Sequence, residues 1–324
     1  MSLLTVRFEQ DNAWGWGLLR EGAIFAPASW SGRTTGQMVM QDHDTLAAEV
    51  AQPGVPSIPL AELRLLSPVT AGQQLLFQLG NYHSHLREVG MGGGPRPRNV
   101  FFSKAASALA PAVGQVVRPP DVRLLDYEVE LGLVIGSAIT GPTRIGAREI
   151  GRLVRAITLV NDMSARDHQL ADGQYFLSKS HRGFCAVGPG LLLLREGEFD
   201  GLGVLQLRLW VNGKLRQDCP TSDMVYQPHE SLSQLSKVID LQPGDLVSTG
   251  TPGGCAIRAP GRVIQKVLGL LPDGFKLRMY VRAQDRSGRY LKPGDRMTAT
   301  LSTAQGQSLC GTQDLTVVAA PLAE

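Results

Sequence analysis

Three acidic residues at alternating positions, Asp126, Glu128 and Glu130, sit in an otherwise apolar run, Asp126-Tyr-Glu-Val-Glu-Leu-Gly-Leu-Val-Ile-Gly136. Read with the period of a strand they share one face, while Tyr127, Val129, Leu131, Leu133 and Ile135 share the other. Carboxylates one pleat repeat apart repel unless water, protons or a cation intervene. The pattern therefore has two readings: a cation site, or a half-buried strand with a solvated acidic face. His85 and Glu88 are three apart in a segment, 83–90, that reads as one to two helical turns ended by Gly90. On one helix face the carboxylate can hold the imidazole in one tautomer and stabilise its protonated form, so the pair can activate water. The alternative is an exposed His and Glu on a surface turn. Asp162 follows an apolar run at 156–160, where the chain turns polar and where site residues of a sheet usually lie. Lys179, which lies between Leu177 and Gly183, is by type an ordinary surface cation.

The elements that must position these residues follow from periodicity and turn chemistry. Residues 3–8, 15–20 and 22–25 are short alternating segments expected to form a small antiparallel sheet, followed by a helix over 34–51 that the Pro/Gly-rich stretch 52–59 ends. This makes residues 1–70 a small β-rich module, in which Trp14, Trp16 and Trp30 read as core. Strands are expected at 74–79, 99–104 and 156–160, and helices at 144–154 and 231–238. The alternating run 205–211 before Asn212-Gly213 reads as a hairpin. Residues 91–98, Met-Gly-Gly-Gly-Pro-Arg-Pro-Arg, could serve as a flap over a site. They are not a phosphate loop, because the Lys-Ser/Thr ending is missing.

Composition narrows the function classes. The 324 residues carry a formal net charge of +3, and no stretch concentrates Lys and Arg as a nucleic-acid or membrane-binding patch would. No apolar run is long enough to span a bilayer, and the first residues have neither the basic nor the apolar region of a leader. The expectation is a cytoplasmic protein with a small-molecule substrate and neither nucleic acid nor membrane as partner. Cys185, Cys219, Cys255 and Cys310 are far apart, with no CxxC pair, and read as buried or incidental thiols.

Five motifs then occur in one order: Tyr127-Glu-Val-Glu-Leu131, Asn161-Asp-Met-Ser-Ala-Arg-Asp-His-Gln169, Lys179 before Gly188-Pro189, Asn212-Gly213 with Thr221-Ser-Asp-Met224, and Pro243-Gly-Asp245 leading to Thr249-Gly-Thr-Pro-Gly253. In this order the chain resembles the fumarylacetoacetate hydrolase family over roughly residues 75–318. The resemblance implies a mostly β (α+β) fold, a mixed β-sheet roll around the site, with residues 71–324 as catalytic domain beside the N-terminal module. It also implies a homodimer. It assigns Glu128, Glu130 and Asp162 to a divalent cation, and three carboxylates suit Mg²⁺, with Mn²⁺ or Ca²⁺ as substitutes. By the same comparison His85 and Glu88 orient and deprotonate a water, Lys179 faces the reacting carbonyl, Gln169 is a polar contact to it, and Thr251 is a hydroxyl at the substrate carboxylate. Arg166 belongs to the same motif as a substrate contact or a structural residue.

The activity so implied is hydrolysis of a C–C bond in a β-diketo acid such as an acylpyruvate. The alternative on the same scaffold is decarboxylation of an oxaloacetate-like acid, or isomerisation, tautomerisation or hydration of a 2-oxo diacid. Two departures bear on the substrate. Leu79-Gly-Asn-Tyr82 has no side chain at Gly80, where family members often carry one. Residues 255–291 form a longer link than the family suggests, with 267–271 and 277–281 expected to be ordered as a dimer contact or a rim on the pocket.

Overall fold

The computed structural model describes residues 2–92, 98–259 and 273–321. Residues 93–97 of the expected flap and the expected segment 267–271 lie outside them. A long mixed sheet runs in the order Ser57–Pro59, Ala23–Phe25, Ala13–Arg20, Leu3–Gln10, Gly190–Leu193, Val154–Asp162, Val129–Ile135, Leu246–Ser248, Leu75–Gln78 and Phe101–Ser103. A second sheet runs Lys214–Pro220, Leu205–Val211, Arg296–Thr303, Ser308–Ala319 and Val113–Arg118. Most neighbours are antiparallel. Leu246–Ser248 with Leu75–Gln78, and Ser308–Ala319 with Val113–Arg118, are parallel. The fold is the mostly β, mixed-sheet roll that the sequence implies.

Strand Val129–Ile135 lies inside the long sheet and is buried on both faces. Its odd residues Leu131, Leu133 and Ile135 join one core with Leu207, Leu209, Leu301, Leu315 and Val317 of the second sheet. Val134, on the even face, packs with Trp16, Trp30, Met38 and Leu46 of the N-terminal segment. Glu128 and Glu130 continue that even face, so the solvated-face reading of the acidic row is overturned: both carboxyl groups are buried with the strand that carries them. The sheet also joins the expected modules, because Leu3–Val6 pairs with Gly190–Leu193. Trp16 and Trp30 are fully buried and Trp14 is exposed at the strand start.

Several expected elements change in extent. The helix expected over 34–51 is two helices, Thr35–Val39 and His43–Val50. Asp42 breaks it, because its carboxylate caps the second helix by accepting from the Asp44 and Thr45 amides. Only Ile150–Leu153 of the expected 144–154 helix forms; the Ser236 and Ser233 hydroxyls hold the amides of Thr143 and Ile145 in an open chain instead. The helix expected at 231–238 spans Pro228–Leu235, three residues earlier, where Gln227 and Glu230 make a capping box and Pro228 starts the first turn. Helix His83–Glu88 and Gly90, at φ 73°, follow the expected pattern. So does the hairpin at Asn212 and Gly213, both in the left-handed region.

Residues 255–291 leave and rejoin the scaffold at adjacent positions. Ala256 and Ile257 donate their amides to the Asp126 carboxylate at 2.7 and 3.2 Å, and the Leu291 amide donates to the Leu125 carbonyl at 2.9 Å. Between them stands helix Asp273–Asp285.

Gly132 shows how tightly the central strand is enclosed. A Cβ there would lie 2.8 Å from Val160 Cγ2, 2.9 Å from Thr158 Cγ2 and 3.0 Å from Leu246 Cδ1. Gly132→Ala is expected to lower stability by about 1–3 kcal/mol through overpacking, read as a lower urea midpoint with an unchanged slope.

Candidate active site

The strand register brings the acids together. Val129 pairs with Asn161 and Glu130 with Val160, and the Asp162 amide donates to the Glu128 carbonyl at 2.8 Å. Glu128, Glu130 and Asp162 thus offer oxygens that all lie within 4.8 Å of one another, in a fully buried setting. Two ligands of a single Mg²⁺, Mn²⁺ or Ca²⁺ ion at bond lengths of about 2.0–2.6 Å lie at most about 4–5 Å apart, so this all-oxygen set fits one hard divalent cation.

Side-chain cations answer the buried acids. Lys179, 1% exposed, donates through Nζ to Glu128 Oε2 at 2.7 Å and also to Asp162 Oδ2. Lys104 Nζ reaches the other oxygen of Asp162 at 2.5 Å, and Arg166 bonds Glu128 and, at 2.9 Å, Asp126. Glu130 makes no such ion pair among the described residues; its Oε2 accepts from the Ser248 hydroxyl at 2.5 Å and the Gly250 amide at 3.0 Å. The titration follows the geometry. Burial pushes Glu128 up, but Arg166 and Lys179 outweigh it and hold the carboxyl well below its usual range. Burial, then the charges of Asp162 and Glu128, push Glu130 well above the carboxylate range. Lys179, despite burial, is held above the usual lysine value by Asp162 and Glu128.

A cavity of about 520 Å³ opens on this cluster, lined by His85, Glu128, Glu130, Arg166, Gln169, Lys179 and Thr251 among others. Lys179 is therefore not the surface cation its type suggests. His85 is 7% exposed and its Nδ1 has no hydrogen-bond partner among the described residues. Burial, with Arg166, Lys179 and Arg258 nearby, lowers its pKa to about 4 even though Glu128 pulls the other way. Glu88 does not line the cavity. Its Oε2 accepts from the Gly254 amide at 2.7 Å and from Arg258 Nη1 at 2.5 Å, so that oxygen is turned to the 254–258 segment and not to His85. Gln169 accepts from Arg166 Nη1 at 2.9 Å, so its carbonyl oxygen is engaged and its amide N–H₂ is the donor end. Thr251 donates to the Val129 carbonyl at 3.1 Å and accepts from Gln217 at 2.9 Å. To donate to a substrate carboxylate it must give up Val129.

Two contributors are not apparent from the sequence pattern, and a third, Asp126, plays a part other than the one its place in the acidic row suggests. Lys104 follows the strand Phe101–Ser103 much as Asp162 ends its own, and that placement is the signal that could have found it. Gln217, 0% exposed, ties the Val129 amide to Thr251 and Pro252, yet its strand has exposed residues on either side and nothing in the local pattern marks it. Asp126 anchors Arg166 and the start of 255–291 rather than joining the acid triad.

The family model described as fumarylacetoacetate (FAA) hydrolase C-terminal matches residues 76–318. A mitochondrial oxaloacetate tautomerase of Bos taurus is 33% identical over 216 residues, 65% of this chain and 66% of that protein. A protein of Mycobacterium tuberculosis is 32% identical over 243 residues, 73% of this chain and 89% of that one. The structure of maleylpyruvate hydrolase from Sphingobium sp. SYK-6, in complex with manganese (II) ion and pyruvate, aligns with a TM-score of 0.70 at 25% identity, covering 99% of this chain and 100% of that one.

The lowered His85 pKa has a definite consequence for stability. Its folded value, about 4, lies below the ordinary 6.5, so between those pH values the unfolded chain binds the proton and the folded chain does not. Stability is lost as pH falls through that window, by about 3 kcal/mol in full, since a tenfold change in proton affinity corresponds to about 1.4 kcal/mol. Urea unfolding of metal-free protein at pH 7 and pH 4.5 is expected to show a larger loss for the native chain than for His85→Gln. Lys104→Met removes one side of a buried pair and is expected to cost about 3–5 kcal/mol in the same assay.

Proposed function

The chain belongs to the fumarylacetoacetate hydrolase family, and from that premise we propose that it is a metal-dependent hydrolase cleaving a C–C bond in a β-diketo acid of the acylpyruvate type. The observation that carries this reading is the buried triad Glu128, Glu130 and Asp162, whose two glutamates line one cavity with the cation Lys179 and the neutral base His85. Glu128, Glu130 and Asp162 are the residues that would hold the divalent cation, with Mg²⁺ proposed. When bound it acts as a Lewis acid and template for the substrate's carboxylate and enol oxygens, and lowers the cost of negative charge on the departing carbon.

The chain's own residues supply the rest. His85, neutral at ordinary pH because burial disfavours its charged form, accepts a proton from water while the water oxygen bonds to the acyl carbon. A base with so low a pKa is weak, and Glu88 turned from Arg258 toward Nδ1 would strengthen it. Lys179 holds a permanent positive charge beside the site and, with the Gln169 amide, stabilises the oxyanion. The carbon–carbon bond then breaks with its electron pair on the enolate carbon. That carbon takes a proton, so one water and one acylpyruvate become one carboxylic acid and pyruvate. Arg166 keeps Glu128 and Gln169 in place, a positioning role.

A second reading is keto–enol tautomerisation of an oxaloacetate-like acid. Two observations favour it: Glu88 is bound to Gly254 and Arg258, and the bovine relative carries that activity in its name. Water attack is unnecessary in this chemistry.

A panel of acylpyruvates and oxaloacetate, followed by enol absorbance and pyruvate release, separates the two. Expected outcomes are cleavage that stops with chelator and returns with Mg²⁺, and a loss of about 10²–10⁴-fold in kcat for His85→Ala. Tautomerisation of oxaloacetate that persists in His85→Ala, with no diketone cleaved by the native protein, would replace the hydrolase reading by the second.

A further inference from the structure

The cavity has more wall than the reacting atoms use. Its volume of about 520 Å³ is of the size that drug-sized ligands occupy, well beyond what a four-carbon keto diacid fills. Away from the acids, its lining includes Leu79, Val89, Leu170, Ile257, Leu277 and Tyr280. The last three belong to residues 255–291.

We propose that helix Asp273–Asp285 is a selectivity wall, and that through Leu277 and Tyr280 the site takes 2-oxo acids with a bulky apolar tail, an aryl or branched alkyl group, over those ending in a second carboxylate. The proposal rests on the reading above that a 2-oxo acid binds at the acid cluster.

The wall is fixed in place. The Tyr280 hydroxyl donates to the Arg258 carbonyl at 2.6 Å, Leu277 packs against the main core, and Val281 is buried. The helix also contacts Arg166–Asp172, which carries Arg166 and Gln169. Charge accounting points the same way. Lys179 is answered by Glu128 and Asp162, and Arg166 by Asp126 and Glu128. Arg258 borders the cavity but its Nη1 is held by Glu88 at 2.5 Å and by the Cys255 carbonyl at 2.8 Å. Lys276 is engaged as well. A second carboxylate would thus lose water against Leu277, Tyr280 and Ile257, with Lys179 and Arg166 already paired and Arg258 paired while Glu88 holds it, whereas an apolar tail gains from the same burial.

The test uses two 2-oxo acids that have no β-diketone to cleave, so it reads the wall and not the chemistry. Calorimetric titration of the Mg²⁺-loaded full chain with 4-phenyl-2-oxobutanoate and with 2-oxoglutarate is expected to give a Kd at least about tenfold lower for the phenyl compound. Leu277→Ala should shrink that ratio several-fold, and Leu277→Lys, which offers a second carboxylate a cation, should bring it near one. Circular dichroism confirms that each variant is folded, and Leu277→Ala alone suffices if the Lys variant is not. Equal or tighter binding of 2-oxoglutarate, or a ratio that neither variant moves, overturns the proposal. Binding with the expected ratio but without cleavage of any acylpyruvate overturns the hydrolase reading and leaves the wall standing. Binding of neither compound at millimolar concentration overturns the proposal together with the premise that a 2-oxo acid enters.

Discussion

Everything at the centre of this molecule answers to the cost of taking four carboxyl groups out of water close to one another. Asp126, Glu128, Glu130 and Asp162 are at most 4% exposed, and buried charge is tolerated only when paired and hydrogen-bonded. Arg166 spans Asp126 and Glu128, Lys179 spans Glu128 and Asp162, and Lys104 closes the far side of Asp162. The helices that carry Arg166 and Lys179 are short, seven and four residues. What holds them is the ionic contact as much as their own backbone bonds, since helices of this length are marginal in isolation. Glu130 is the exception, satisfied by a hydroxyl and an amide, and burial together with the charges of Asp162 and Glu128 pushes its pKa up.

The frame around this cluster supplies rigidity from two directions. On one side, odd residues of Val129–Ile135 face the second sheet; on the other, Val134 meets the aromatic core of the N-terminal segment. A strand enclosed in this way has one register, because a slip of one residue would exchange carboxylates for leucines. The positions of Glu128 and Glu130 are therefore a by-product of apolar packing that extends well beyond the site.

How much of this was legible in the sequence depended on whether a residue's role is local. Glu128, Glu130, His85 and the Asn212-Gly213 hairpin are picked out by period and turn chemistry, and Asp162 by its place at a strand end, whereas the convergence of Asp162 on the acids was implied only by the family resemblance. Helix extents were less legible: Asp42 and the Ser233–Ser236 pair redirect backbone amides to side chains, and no period reveals that. Lys104 and Gln217 act across the fold, 58 and 88 residues from the partners they hold, so their chemistry emerges only when the sheets are assembled. The same is true of Glu88, whose spacing from His85 suggests a pair while Arg258 and Gly254, from a distant segment, compete for its oxygen.

The anchoring of residues 255–291 at two consecutive positions, Leu125 and Asp126, gives that segment the standing of a cassette. Because its ends are clamped side by side, a longer or shorter excursion adds only slowly rising closure entropy and leaves the strand order intact. Nature and the protein engineer alike can then exchange the wall of the cavity while the ionic floor stays as it is. One scaffold would in this way serve acids of quite different shape by trading a single removable part.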